Sequence, residues 1–342
     1  MGDVAMTVPV IKALAQQYPH VRITFLSKGF ARAFFENLAP NVSFMEADIK
    51  EEYKGIKGLN KLFRRLHAKK FTAIADLHDV LRSEYLRLRF NMNLDKYKIA
   101  HIDKHRSARK KLCAQKNKEL KQLPTSFENY AEVFAKLGYP ININFTSQGE
   151  PPLLSTAVSP LLAEIEGRLN IGIAPFAAHQ GKIYPIPMME EVIKGIIQKH
   201  PDCRILLFGG GKKEKEVFDK WCSQYANCVN ASAACKGLQQ ELGIMSHLQV
   251  MISMDSANMH LASLVNTPVV SIWGATHPYA GFMGWNQRYE NAVQVELDCR
   301  PCSIYGNKPC LRGDYACLKN ISPEQIISKV ESLLLTSNNK EQ

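Results

Sequence analysis

The chain of 342 residues has no apolar run of the roughly 18 residues that a membrane-spanning helix requires, so an integral membrane protein is excluded. It also lacks the composition of a disordered chain, since 46% of its residues are hydrophobic and 22% are charged. Its first ten residues, MGDVAMTVPV, contain no lysine, no arginine and no cleavage-type ending, so no secretory signal is expected there. We therefore expect a cytoplasmic protein whose nine cysteines are mostly reduced.

Positive charge is abundant, but only in the first part of the chain. Residues 1–150 hold 26 Lys+Arg and 15 Asp+Glu, whereas residues 151–342 hold 17 of each. The excess is densest at 54–70 and 104–121. An excess of basic residues attracts an anionic partner, which could be an acidic substrate, an anionic membrane surface or nucleic acid. The alternative is a solvated basic face without a partner. No base-reading or stacking module is recognisable, so nucleic acid is not an expected partner.

The chain is predicted to be an α/β protein with two domains. Its length favours two domains, and strand-length apolar runs alternate with helix-period segments, as in parallel sheets covered by helices. A turn-rich stretch at 139–160 is predicted to link residues 1–150 to residues 160–342. The predicted strands are 21–26, 42–45, 71–76, 97–100, 170–175, 204–208, 250–254 and 269–273. The predicted helices are 4–17, 28–38, 58–69, 79–90, 125–138, 187–199, 212–224, 236–246, 256–264 and 323–335.

The segment 250–278 has the strongest pattern of a binding site. A buried-type strand ends at Met254, and Asp255-Ser256 then open a helix that carries His260. Asp or Ser at a helix start caps backbone N–H groups, and a helix N-terminus binds anions. The alternative is a capped turn with a packed histidine. The Gly274-Ala275-Thr276 turn adds a second loop at the same sheet edge, which favours a site.

Two other loops follow predicted strands of the second domain. Lys182 lies on a strand-to-helix loop, where its compact charge suits a phosphate, although a single lysine is more often only exposed. Gly209–Gly211 open a helix and are neither a P-loop nor a GxGxxG fingerprint. They indicate either a tight turn or a nucleotide contact.

The chain begins with a Gly2-Asp3 pair that opens a helical pattern containing Pro9. A carboxylate at the start of a helix, at a cleft edge, could act as a general base. It could equally be a simple N-cap.

Four cysteines are spaced as C-x₂-C-x₇-C-x₆-C in a polar, loop-like segment. Four thiolates could close a structural tetrahedral zinc site, which the first C-x₂-C suits. The later gaps are irregular, so free thiols or an incidental disulfide remain the alternative. The four residues are Cys299, Cys302, Cys310 and Cys317.

Four short motifs occur in order along the chain. They are Gly2-Asp3-Val4 with Thr7 and Pro9, Asp76-Leu77-His78 with Arg82-Ser83, Lys182-Ile183-Tyr184-Pro185, and Asp255-Ser256-Ala257-Asn258-Met259-His260-Leu261-Ala262. Together they are specific, and over essentially its whole length the chain resembles glycosyltransferase family nine, the ADP-heptose:lipopolysaccharide heptosyltransferases. The resemblance implies a GT-B fold, in which two doubly wound Rossmann-like domains face a central cleft. Residues 1–150 would bind the acceptor and residues 160–342 the sugar nucleotide.

The resemblance also implies an activity. It is inverting, metal-independent transfer of heptose from ADP-heptose to the lipopolysaccharide inner core, with no cofactor required. The acceptor would be a membrane-borne lipid carrying phosphates and carboxylates, which agrees with the uneven charge. The enzyme would then be peripheral at the cytoplasmic face of the inner membrane. The alternatives are a UDP- or GDP-hexose donor, or an inactive sugar-nucleotide binder.

The resemblance assigns the family's site residues to positions of this chain that occupy the same place in the motifs. Asp3 matches the general base, and Lys182 matches the lysine that holds the diphosphate. The donor-binding turn matches Asp255, Ser256 and Ala257, with His260 in the same motif and Glu214 aligned with an acidic residue at the ribose. Gly2, His78 and Arg82 are expected on the acceptor side.

This sequence departs from the family pattern at three places. Members usually have a strand before Gly-Asp, so the first strand is expected to be missing here. Ala257 stands where the family has glycine, and its methyl group could crowd a phosphate. The family's Gly-Pro-Thr-Asp-Pro is Gly274-Ala275-Thr276-His277-Pro278 in this chain.

Overall fold

Strands and helices alternate along nearly the whole chain. The computed structural model describes residues 1–143 and 160–338. The strands are β1 (Ile23–Ser27), β2 (Val42–Glu46), β3 (Ala73–Asp76), β4 (Lys98–His101), β5 (Asn170–Ala174), β6 (Arg204–Leu207), β7 (Cys228–Asn230), β8 (Val250–Met254), β9 (Val269–Ile272) and β10 (Ala292–Val293). The α-helices are α1 (Gly2–Gln17), α2 (Arg32–Phe35), α3 (Gly55–His67), α4 (Leu81–Asn91), α5 (Arg106–Leu112), α6 (Ser126–Lys136), α7 (Leu162–Ile165), α8 (Ile186–Lys199), α9 (Lys212–Gln224), α10 (Ala231–Ala234), α11 (Leu238–Met245), α12 (Ala257–Leu264), α13 (Ala316–Lys319) and α14 (Pro323–Asn338).

The first compact unit contains Met1, Met6–His105 and residues 124–143. Its strands form two parallel pairs, β1 with β2 and β3 with β4. The amphipathic helix α3 packs Leu62, Phe63 and Leu66 into a core that also contains Phe90 of α4. α6 begins at a capping box, in which the Thr125 hydroxyl accepts the N–H of Glu128 and the Glu128 carboxylate accepts the N–H of Thr125.

The second unit contains Gly2–Ala5, Arg106–Leu123 and the described residues from 160 onward. Its parallel sheet has the strand order β7-β6-β5-β8-β9-β10. This is the order of a dinucleotide-binding Rossmann sheet, in which the connections reverse direction between the two central strands. Here those strands are β5 and β8, and all residues of both are buried. The predicted doubly wound α/β architecture is confirmed in this unit.

Two segments that precede the expected boundary between residues 150 and 160 group with the second unit, Gly2–Ala5 and Arg106–Leu123. The structure groups 106–123 with the second unit, because Leu112 and Leu123 are buried in a small cluster with Ala280. The predicted linker at 139–160 lies largely outside the described residues. The helix predicted at 28–38 is shorter, since a 3₁₀ turn at Gly29–Ala31 precedes α2.

No helix within residues 1–143 or 160–338 is both long enough and apolar enough to span a membrane. This agrees with the absence of a long apolar run in the sequence.

Candidate functional site

The loops that follow three adjacent strands meet at one edge of the second unit's sheet. β5, β8 and β9 are parallel neighbours, so their carboxyl ends lie at the same edge. Lys182 is in the loop after β5, Asp255 directly follows β8, and Gly274-Ala275-Thr276 follows β9. In open α/β sheets, ligands bind beyond the carboxyl ends of the strands, where the connections reverse direction. Lys182 and Asp255 follow the two strands that flank this point.

Lys182 and Asp255 form a mostly buried ion pair. The lysine Nζ lies 3.0 Å from Oδ2 of Asp255, in contact but without hydrogen-bond alignment. The lysine stem runs against the backbone of Gly306, where an added Cβ would lie 2.5 Å from Cγ of Lys182. The backbone N–H of Ala275 donates to the carbonyl of Gly181 over 2.8 Å and ties the two loops together. The ammonium is therefore held at a defined place, at the edge of the sheet.

The N-terminus of α12 also faces this edge, because α12 directly follows β8 and Asp255. Ser256 occupies the N-cap position, but its hydroxyl lies 3.3 Å from the hydroxyl of Ser253 and does not cap the first turn. The Ser256 side chain therefore does not satisfy the backbone N–H groups of the first turn, which begins at Ala257. An anion at this position would also be stabilised by the helix dipole.

The start of the chain packs against this helix. An added Cβ at Gly2 would lie 3.1 Å from Cδ2 of His260 and 3.8 Å from Cα of Ala257. Asp3 is the next residue, and its side chain is exposed. The structure therefore brings Gly2 and Asp3, which precede His260 by 258 and 257 residues in the chain, to the helix of the Asp255 motif.

His260 is buried, and its Nδ1 has no hydrogen-bond partner among the described residues. Burial, together with the positive charge of Lys182, lowers the pKa of His260 to about 3, so its ring is neutral near pH 7. Thr276 Oγ1 is a second buried polar atom for which the described part of the chain offers no partner. Buried polar atoms are normally hydrogen-bonded. These two atoms are therefore available to hydrogen-bond a polar ligand or ordered water.

The buried neutral His260 should make the protein less stable in acid. The folded pKa of about 3 lies below the reference value of 6.5, so between these pH values the unfolded chain binds a proton that the folded chain does not. Stability should therefore fall by about 1.4 kcal/mol per pH unit as pH drops through this range. Urea unfolding of His260→Gln at pH 7, 6, 5 and 4 should show a shallower decline than the wild type. His20→Gln, at an exposed histidine, is the control, and an unchanged slope in His260→Gln would contradict the assignment.

Arg300 holds the turn after β9 in place. This role was not predicted from the sequence. The buried guanidinium of Arg300 contacts five acceptors, four of them backbone carbonyls, and the two N–H groups of Nη2 are shared among three of the five. Arginine suits this task because its planar fork carries five N–H donors. A lone arginine in a loop gives no sequence pattern by which this role could be found. The acceptors are the carbonyl oxygens of Trp273, Gly274, Thr276 and Val295 and the side-chain oxygen of Gln294.

Replacing Arg300 with Met should lower the free energy of unfolding by at least about 3 kcal/mol. Several buried carbonyls would lose their donor, and each unsatisfied group costs about 1–3 kcal/mol. Arg312→Met is the matched control, because Arg312 is exposed and pairs with Asp314, and such pairs contribute about 0–1 kcal/mol. Equal losses in the two variants, measured by urea unfolding, would show that Arg300 does not hold the turn.

The Glu214 carboxylate is hydrogen-bonded to the glycine turn after β6. Oε2 of Glu214 accepts the N–H of Gly210 over 2.7 Å, and the N–H of Gly209 donates to the Ser232 hydroxyl over 3.0 Å. An added Cβ at Gly209 would lie 2.4 Å from Oε2 of Glu214. These contacts support the tight-turn interpretation of the glycines. The ribose role of Glu214 stays a prediction.

His78 and Arg82 lie in the first unit, and both are exposed. The loop that carries His78 is fixed by Asp76, whose Oδ1 accepts the N–H groups of His78 and Asp79 over 3.0 and 2.9 Å. Arg87 pairs with both carboxylates, at 3.1 Å from Asp76 and 2.8 Å from Asp79. Asp76 of the family-like motif therefore shapes the loop that presents His78.

The four predicted zinc ligands line a cavity of about 570 Å³ together with Cys113. All are free thiols. Within residues 1–143 and 160–338, no three His, Cys, Asp or Glu side chains are grouped so that they could hold a metal ion. The four cysteines are therefore not arranged as the ligands of a zinc ion in the described structure. The residues concerned are Cys299, Cys302, Cys310 and Cys317.

Part of the basic stretch 104–121 is engaged within the second unit. Lys118 Nζ donates to the carbonyls of Asp298, Arg300 and Pro301 over 2.8–3.2 Å. Arg109 donates to the Tyr305 hydroxyl over 2.8 Å. These two cations stabilise loops of the second unit. Part of the positive charge of this stretch is therefore used within the protein and is not available to an anionic partner.

The chain is similar in sequence to known proteins. The model of the family described as "Glycosyltransferase family 9 (heptosyltransferase)" matches residues 59–310. Lipooligosaccharide heptosyltransferase 2 of Campylobacter jejuni is 22% identical over 346 aligned residues, which cover 98% of this chain and 96% of the relative.

Solved structures show the same fold. The ADP-heptose lipopolysaccharide heptosyltransferase II of Escherichia coli superposes with a TM-score of 0.66 at 19% identity, covering 98% of this chain and 96% of that one. The E. coli heptosyltransferase WaaC, solved with ADP, gives a TM-score of 0.64 at 16% identity, covering 97% of each chain. The expected fold of two Rossmann-like domains is confirmed.

Proposed function

This chain belongs to glycosyltransferase family 9, the heptosyltransferases, and we propose that it transfers heptose from ADP-heptose to the inner core of lipopolysaccharide with inversion at the anomeric carbon. The observation that carries the proposal is the placing of Lys182, Asp255 and the α12 N-terminus at the reversal point of a Rossmann sheet. A fixed cation beside the backbone N–H groups of a helix N-terminus suits a nucleotide diphosphate.

The proposed reaction follows from the charges. The bond between the anomeric carbon and the β-phosphate oxygen breaks, and the electron pair leaves with ADP. Lys182 and the first-turn N–H groups of α12 stabilise this departing charge, which grows in the transition state. No divalent cation is needed for that task if Lys182 supplies the positive charge.

Asp3 is the proposed general base. It takes the proton of the acceptor hydroxyl as that oxygen forms the new bond to the anomeric carbon. The contact of Gly2 with the α12 helix supports this role, since it brings the adjacent carboxylate to the donor-binding helix. His78 and Arg82 are the proposed contacts of the phosphates or carboxylates of the acceptor.

The donor is tested by calorimetry with ADP, UDP and GDP. Selective ADP binding, weakened in Lys182→Ala and unchanged in Lys194→Ala on the exposed face of α8, supports the proposal. Preference for UDP or GDP would keep the fold and replace the sugar donor. No nucleotide binding by a folded chain would refute the donor site itself.

The reaction is tested with ADP-heptose and a water-soluble, deacylated inner-core acceptor. The anomeric configuration of the product, read by NMR, should be inverted, and the rate should be unchanged by EDTA. Donor binding without transfer would favour the inactive sugar-nucleotide binder.

A further inference from the structure

Helix α4 carries apolar side chains on two faces. Leu86 and Phe90 point into the core of the first unit. Leu81, Leu88 and Met92 are 85%, 53% and 74% exposed. Their spacings of seven and four residues place them along one side of the helix. A helix needs only one apolar face to pack on its own domain, so this second face calls for an explanation.

A fourth exposed leucine follows the end of α4. Leu94, in the turn that follows, is 99% exposed. We call Leu81, Leu88, Met92 and Leu94 the α4 outer face. Single exposed apolar residues are ordinary, but three aligned along one side of a helix, with a fourth in the turn that follows, indicate an interaction surface.

Cations flank this face. Arg82 and Arg89 each follow an outer-face leucine by one residue, so both lie along the same flank of the helix. The guanidinium of Arg89 lies 4.8 Å from the ring centroid of Phe63 on α3. α3 packs against α4 and carries four basic side chains and no acidic one, and one of these, Arg65, donates to the Tyr53 hydroxyl and the Glu46 carbonyl. The four basic residues are Lys57, Lys61, Arg64 and Arg65.

Acidic groups near the face are few and partly paired. On the segment that carries the outer face, the carboxylates are Glu84 and Asp95. Asp95 lies 3.3 Å from the His67 ring and accepts the Tyr97 hydroxyl. Lys61 of α3 pairs with Glu52. The surface therefore stays net positive around its apolar stripe.

We propose that the α4 outer face docks on the anionic phospholipid surface of a bilayer, with its four apolar side chains in the interface and the flanking cations at the headgroups. The proposal rests on the proposed function, which requires a membrane-borne acceptor. Burial of apolar side chains together with electrostatic attraction is the combination that holds helices in the plane of a membrane.

The test is flotation of the full chain with vesicles. Vesicles of phosphatidylethanolamine and phosphatidylglycerol should bind the protein, and phosphatidylcholine vesicles should not. The double variant L81Q/L94Q replaces the two most exposed side chains of the face, and glutamine is a good helix former at position 81, so folding should be unaffected. Its partition onto the anionic vesicles should fall roughly 10- to 100-fold. The matched control L311Q/L335Q changes two leucines of the second unit that are 70% and 67% exposed, and should bind like the wild type.

Equal vesicle binding by L81Q/L94Q and the wild type, or no binding by either, would overturn the proposal. Loss of a concentration-dependent self-association in L81Q/L94Q, with vesicle binding unchanged, would make the face a protein interface instead. Transfer to the deacylated acceptor separates this test from that of the function, because L81Q/L94Q should retain it. Vesicle binding without any transfer would leave the surface standing and refute the proposed activity.

Discussion

Replacing Asp3 with Asn is expected to lower kcat by about 10²–10⁴-fold while ADP binds nearly as tightly as to the wild type. The amide keeps the size of the side chain but cannot accept the acceptor's proton. Asp3 lies beside the donor-binding helix without contributing one of its N–H groups, so donor binding should survive. Steady-state transfer rates and calorimetry with ADP measure the two effects separately.

Asp202→Asn is the matched control, because Asp202 is an exposed aspartate in the loop before β6. It should leave both the rate and the affinity unchanged. A fall in kcat below about 10-fold for Asp3→Asn would assign the base to another residue. Lost ADP affinity in the same variant would instead place Asp3 in the donor site.

Replacing Lys182 with Ala is expected to weaken donor binding and to lower kcat/KM by about 10²–10³-fold. This is the usual effect of removing one group that stabilises charge in the transition state. The substitution also leaves the carboxylate of Asp255 buried without its cation. Removing one partner of a buried ion pair costs about 3–5 kcal/mol, so the variant should unfold at lower urea.

Two further variants separate the catalytic effect of Lys182 from the effect on stability. Lys182→Ala combined with Asp255→Asn removes both charges, and should recover part of the stability without recovering activity. Lys182→Arg keeps the cation and should retain more donor affinity than Lys182→Ala. Unchanged donor affinity in a folded Lys182→Ala would remove this lysine from the diphosphate site.

Local sequence patterns predicted most of the regular structure. β8 was predicted with the bounds that the structure shows, and so was α9. Both rest on strong local signals, a continuous apolar run in one case and a long amphipathic period in the other. The short strands β7 and β10 were missed, since three and two residues give no measurable period. α5 was missed because its residues, RSARKKL, carry a single large apolar side chain.

Candidate site residues followed from the motifs, but their arrangement did not. The chain's own pattern placed Lys182 and Asp255 after strands, and it could not show that these two strands are neighbours. Arg300 and Gly306 left no signal, because their roles depend on the turn and the lysine stem that they contact. The cysteine spacing suggested zinc, whereas the described structure brings these thiols to a shared cavity without forming a ligand set.

The sequence by itself determined the alternation of strands and helices, the excess of basic residues before residue 150 and the residue types available for donor binding. Only the tertiary structure decided that residues 106–123 pack with the second unit, that Gly2 meets His260 and that α4 has an unburied apolar side. The physical reason is the range of the interactions. Periodicity and capping act within a few residues, whereas these contacts join segments far apart in the chain, and only packing of the whole chain selects them.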